Sequence, residues 1–175
     1  MGQSLEFYFA PKADEQVRGL WQRVEDAGVS SLATHGHRQH RPHVTFAYAG
    51  SFPKAVREDL RGELKLLSIP NVYLSTLSVF ANRTNALVLS ALVDQELLAV
   101  HMAVHDVLAG RVPQPAANSM PGAWTPHCTL AKGLSDSELQ TAMMAVHPVD
   151  GISAKIAEVC VWDSTSRTAD SLWRG

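Results

Sequence analysis

Pro42-His43-Val44-Thr45-Phe46-Ala47 and Pro126-His127-Cys128-Thr129-Leu130-Ala131 are two versions of one phrase, 84 residues apart. Proline makes up 9 of the 175 residues. With threonine about as frequent, a given histidine would gain both flanks by chance at ~0.003. The repeat therefore points to one unit used twice. On a strand, residues i and i+2 share a face. His43 then points with Thr45, and His127 with Thr129, while Val44, Phe46, Cys128 and Leu130 turn to a core. Ala47 and Ala131 are expected to leave the polar face open.

The flanks repeat as well. An apolar strand over 5–10 ends at Pro11. Val17, Leu20, Trp21 and Val24 recur at helical spacing within 13–27, with Gly28 placed to end the helix. A polar loop over 29–42 leads into a strand over 43–49, a helix over 53–67 and a strand over 71–80. The second half follows the same order: a strand over 86–93, a helix over 94–109 between Asp94 and Gly110 as caps, and a proline-rich loop over 111–122. A strand over 126–132, a helix over 135–146 opened by a Ser135–Glu138 capping box, and a long strand over 152–162 complete it. We read a single domain over residues 1–175, with pseudo-symmetric halves of about 1–84 and 85–175.

Composition narrows the function. Apolar residues make up 46% and charged residues 18%, which excludes a disordered chain, and no apolar run is long enough to span a membrane. A net charge of -2 argues against a protein that grips long nucleic acid through many phosphates, while a small or terminal phosphate stays open. The two cysteines, Cys128 and Cys160, read as reduced core thiols, and the opening Met1-Gly2-Gln3-Ser4-Leu5-Glu6 carries no export or myristoylation signal. A cytoplasmic protein is expected.

Two imidazoles and two hydroxyls on related strands suit a tetrahedral phosphate held in a cleft. An unperturbed imidazole titrates near ~6.5, so one can be neutral and accept a proton while the other, protonated, donates one. No metal or other cofactor is needed for that chemistry.

The paired His-x-Thr motifs resemble those of the two-histidine (2H) phosphoesterase superfamily, and within it the bacterial proteins called 2′-5′ RNA ligases or RNA 2′,3′-cyclic phosphodiesterases. The similarity extends to residues 5–24, the loop into Pro42-His43, and residues 80–92. The resemblance implies an α+β bilobal fold of duplicated strand-helix-strand units, with two antiparallel sheets lining a central cleft and helices outside. It implies that His43 and His127 are the catalytic pair and that Thr45 and Thr129 bind the substrate phosphate. The expected ligand is a nucleotide or RNA terminus bearing a 2′,3′-cyclic phosphate, hydrolysed without metal, with reversible 2′-5′ ligation of that end to a 5′-hydroxyl as a further activity of the same site. Trp124, Phe80, Arg41 and Arg83 are candidate further contacts, with Arg38 a third candidate basic residue. A module that binds a nucleotide or RNA end without turnover is the competing reading. Neither a membrane nor an obligate protein partner is expected.

Other features have plainer readings. His35, His37, His40 and His43 are dense enough to suggest a transition metal, but no Cys, Asp or Glu lies between Ser31 and Phe52 to complete a site. His101 and His105 read as scaffold. Strand alternation sends the Cys128 thiol away from His127, against a thiol nucleophile.

Overall fold

Pro11 separates the first two elements. It cannot donate to a strand ladder, but its fixed φ suits the first turn of a helix. In the computed structural model, which describes residues 2–35, 40–81 and 84–175, strand β1 (Gln3–Phe9) stops before it and helix α1 (Pro11–Asp26) starts on it. The elements that follow are β2 (His43–Ala49), α2 (Lys54–Leu66), β3 (Val72–Ala81), β4 (Asn85–Ala91) and α3 (Gln95–Leu108). A 3-10 turn (Ala117–Ser119), β5 (His127–Leu134), α4 (Asp136–Val146), β6 (Ile152–Ala154), β7 (Ile156–Asp163) and β8 (Thr168–Arg174) complete the chain. Asp94 accepts from the Leu97 N–H at the start of α3, and Ser135 and Glu138 close the expected capping box on α4. Gly28 and Gly110 follow their helices at φ +82° and +67°, conformations that glycine adopts without Cβ strain.

The strands form two antiparallel four-stranded sheets, in the orders β2-β1-β7-β8 and β5-β4-β3-β6. Helices α2 and α3 pack against the first sheet, α1 and α4 against the second. The architecture is bilobal α+β. Each sheet draws strands from both sequence halves, because β3 joins the second sheet and β7 and β8 join the first. One continuous core lies beneath both, with Trp21, Phe7, Phe46 and Leu130 among its most buried side chains. The Phe7 and Phe46 rings stack at 3.6 Å between centroids, clamping β1 to β2 from the core side.

Two departures from the sequence reading have physical causes. The strand expected over 152–162 is two strands, broken at Lys155: β6 pairs with β3 and β7 with β1. Ile152, Ala154 and Ile156 are all buried, so the alternation runs through the break and only the hydrogen bonding changes sheets. Strand β8 was not anticipated, because it is an edge strand with a polar start and only Leu172 buried.

Candidate active site

Strands β2 and β5 are the edge strands of their sheets and pack against each other. That juxtaposition brings the two repeated phrases together. Each histidine is oriented in the same way: the His43 Nδ1 lies 2.6 Å from the Arg41 carbonyl, and the His127 Nδ1 lies 2.7 Å from the Thr125 carbonyl. A carbonyl can only accept, so Nδ1 carries the hydrogen and Nε2 is the atom left for proton transfer.

Both strands also bulge at the same place. Glu6 pairs with Thr45 and Leu5 with Ala47, which leaves Phe46 unmatched; Val88 pairs with Thr129 and Leu87 with Ala131, which leaves Leu130 unmatched. A bulge inserts one residue and so inverts the alternation beyond it. Phe46 and Ala47, like Leu130 and Ala131, are consecutive buried residues. This corrects the expectation that Ala47 and Ala131 sit on the open face. Tyr48 and Lys132 take that place and line the cleft.

The carbonyls at each bulge are satisfied from outside the sheet. Thr45 and Phe46 accept from the Trp124 indole (2.9 Å) and the His105 imidazole Nε2 (3.1 Å). Thr129 and Leu130 accept from the Trp21 indole (3.1 Å) and the Leu32 N–H (2.8 Å). Beyond the bulge, the proline-rich loop runs along the free edge of β2, with Tyr48 and Gly50 bonded to Ala116 and Pro113. An otherwise open edge is thereby covered.

The cleft holds about 530 Å³ and is lined by His43, Thr45 and Tyr48 from β2, Thr129 and Lys132 from β5, and Ser4, Glu6 and Tyr8 from β1. His127 does not line it. It lies on the Thr129 face of β5, edge-on to the Phe80 ring at 4.7 Å. Burial lowers its readiness to take a proton, and the nearby charge of His43 lowers it further, against the Thr125 hydrogen bond.

Of the other candidate contacts, Arg41 lines the cleft with its charge engaged, 2.8 Å from Glu158 and over the Tyr8 ring at 4.1 Å. Burial works against the Glu158 charge, but hydrogen bonds from Arg41 and Ser171 and the charges of Arg41 and Arg174 prevail, holding its carboxyl at about 2. Trp124 does not stand in the cleft: its ring stacks on His101 at 3.9 Å, and its N–H is held by Thr45. Arg83, Arg38 and His37 lie outside the described residues. Among the described residues, no group of three or more His, Cys, Asp or Glu side chains is arranged to hold a metal ion.

His101 and His105 are buried, with Nε2 donating to the Ser119 and Phe46 carbonyls. Burial, reinforced by His105, pushes His101 down to about 4. Burial pushes the Cys128 thiol up to about 12, unsuited to a nucleophile at neutral pH.

Sequence reasoning missed Glu6, Tyr8, Tyr48 and Lys132. Glu6 left a signal, an acid between Leu5 and Phe7 in an apolar strand, because a buried carboxylate needs partners. It accepts from the Ser4 and Tyr8 hydroxyls at 2.6 and 2.7 Å, and it lies 3.7 Å from His43 Nε2. Burial and the Glu6 charge raise the Tyr8 phenol, which stays neutral.

The profile of the 2′-5′ RNA ligase superfamily matches residues 11–168. Two solved structures of Kluyveromyces marxianus Usb1 are similar in fold. The one with uridine monophosphate has a TM-score of 0.54 at 13% identity, covering 98% of this chain and 97% of that one. The other has a TM-score of 0.52 at 12% identity, covering 98% and 96%. No curated protein matches the chain.

Proposed function

The chain belongs to the 2′-5′ RNA ligase superfamily, and from that premise we propose that it is a phosphodiesterase that opens a 2′,3′-cyclic phosphate on a nucleotide or RNA end. The observation that carries the reading is the matched pair of edge strands. Each offers an imidazole fixed through Nδ1 and, two residues on, a threonine lining a shared cleft.

In this reading, His43 and His127 are the catalytic pair. A neutral imidazole takes a proton from water as the water oxygen bonds to phosphorus. The bond from phosphorus to one ribose oxygen breaks, and the imidazolium of the partner gives that oxygen its Nε2 proton. Thr45 and Thr129 donate to the phosphoryl oxygens as charge builds on them. The product is a phosphomonoester beside a free ribose hydroxyl. With a 5′-hydroxyl in place of water as the nucleophile, the same steps in the same direction join two RNA ends. Water at ~55 M favours hydrolysis unless the second end is held in place.

The size of the cleft suits a nucleotide rather than a long strand. The net charge of -2 agrees. A protein of similar fold described with uridine monophosphate supports a ligand of that size.

The test is incubation of the purified chain with a 2′,3′-cyclic mononucleotide in EDTA, followed by ³¹P NMR. Conversion to a single phosphomonoester is expected. Binding without conversion would replace the enzyme by a nucleotide-binding module, and activity that returned only with added metal would remove the two-histidine mechanism.

A further inference from the structure

The two halves match in histidine, threonine, bulge and Nδ1 tether, yet they differ in charge: Lys132 stands where the first half has Tyr48, and the partner of the threonine differs as well. In the first sheet, the residue paired with Thr45 is Glu6; in the second, the residue paired with Thr129 is Val88. Both are buried, Glu6 at 7% exposure and Val88 at 0%. The pseudo-symmetric site therefore has a carboxylate on one side and an isopropyl group on the other.

We propose that Glu6 sets the direction of proton transfer, holding His43 as the imidazolium that delivers a proton to the leaving oxygen and leaving His127 as the neutral base. The inference rests on the two-histidine phosphodiesterase reading above.

The geometry of Glu6 carries it. Ser4 and Tyr8 hold both carboxylate oxygens in place. Oε1 faces Nε2, the nitrogen of His43 that its Arg41 tether leaves for chemistry. A fixed negative charge 3.7 Å away favours the protonated ring.

Glu6 is the carboxylate that lines the cleft with His43, among the described residues. Tyr8 from β1 is neutral, and Arg41 in the preceding loop is paired with Glu158 from β7. Among the described residues, Tyr48 from β2, Lys132 and His127 from β5, and His35 and His40 from the preceding loop are further titratable groups around the cleft.

His127 meets different company. Phe80 stands edge-on to it, and Ser90, its ladder partner, donates its hydroxyl to Ser78. Among the described residues no carboxylate faces it, and burial outweighs the Thr125 hydrogen bond in favouring the neutral ring.

The proton balance follows. His127 Nε2 takes a proton from water as the new bond to phosphorus forms. His43 Nε2 gives its proton to the departing ribose oxygen as that bond breaks. The cycle ends with His127 charged and His43 neutral, and exchange with solvent restores the starting state. Glu6 acts through His43 and touches no reacting atom, so it is a positioning residue.

The test is NMR titration of both imidazoles in substrate-free protein, read alongside the pH profile of kcat/KM on a cyclic mononucleotide. In the unmodified protein, His43 should lose its proton at higher pH than His127. Glu6→Gln keeps the size of the side chain and its hydroxyl partners. It should move the titration of His43 to lower pH, move His127 much less, and carry the alkaline limb of the rate profile down with His43. Glu6→Asp should recover part of the shift. The reverse order of titration in the unmodified protein, or an unmoved His43 in a folded Glu6→Gln variant, overturns the proposal. The titrations need no turnover, so failure to hydrolyse a cyclic phosphate would sink the phosphodiesterase reading and still leave the effect of Glu6 on His43 decided.

Discussion

Acid should weaken this protein through His101, a residue outside the cleft. The imidazole is 1% exposed, stacked on Trp124 and bonded to the Ser119 carbonyl. Burial and its neighbour His105 hold it at about 4, against ~6.5 in an unfolded chain. The unfolded state therefore binds the extra proton first. The neutral ring contributes its full stability above ~6.5, and that contribution is lost as the pH falls from there towards about 4. At pH 5 the unfolded imidazole is almost wholly protonated and the folded one almost wholly neutral. A gap of about 1.5 units at ~1.4 kcal/mol per unit then amounts to a loss of about 2 kcal/mol. Glu158, held near 2, loses its contribution only below the ordinary carboxylate range, so the two effects occupy separate windows. Urea unfolding at pH 7 and pH 5, on the parent and on His101→Gln, isolates the effect. The glutamine variant starts less stable for want of the stacked ring, but it should lose about 2 kcal/mol less across the interval. Equal losses in the two proteins would refute the reasoning.

Three further expectations follow from the site. Trp124→Phe keeps a ring against His101 but strips the Thr45 carbonyl of its donor, at about 1–3 kcal/mol in chemical denaturation; stability unchanged within a few tenths would mean that water replaces the indole. His43→Ala and His127→Ala should each lower turnover by ~10² to 10⁴, and the double variant by far less than the product, as single-turnover rates would show. Affinity for a short oligonucleotide with a cyclic end should match that for a long one and vary little with salt, and a steep salt slope in equilibrium binding would reveal a groove that tracks phosphates.

How much of this could be read from the chain is instructive. The bounds of β2 and the capping residues of α3 and α4 follow from local pattern, and the meeting of the His43 and His127 strands from the repeated phrase and the family resemblance. The dull role of His101 and His105, which lie on the buried face of an amphipathic helix, also follows from local pattern. What escaped was whatever depends on pairing between strands. A bulge leaves the residue types unchanged and shifts only the register, so Ala47 and Tyr48 exchange faces without a trace in the alternation. Lys155 separates strands of two different sheets while the buried residues around it keep step. The short distance along the chain from Trp124 to His127 makes the tryptophan a candidate ligand contact on sequence alone. Its partner is the carbonyl of Thr45, 79 residues away.

The passage through Lys155 also bears on the mechanics of the molecule. One residue separates a strand bonded into one sheet from a strand bonded into the other, and the Lys155 carbonyl is itself pinned by the Ala10 N–H at 2.8 Å. With a common core beneath both sheets, the molecule is a bracket rather than a pair of jaws, for no slack segment remains at that crossing to serve as a hinge. Ligand entry and departure then fall to side chains and loops at the mouth. The scattering envelope should be the same with and without nucleotide, and the interior should admit only ligands that fit its standing width.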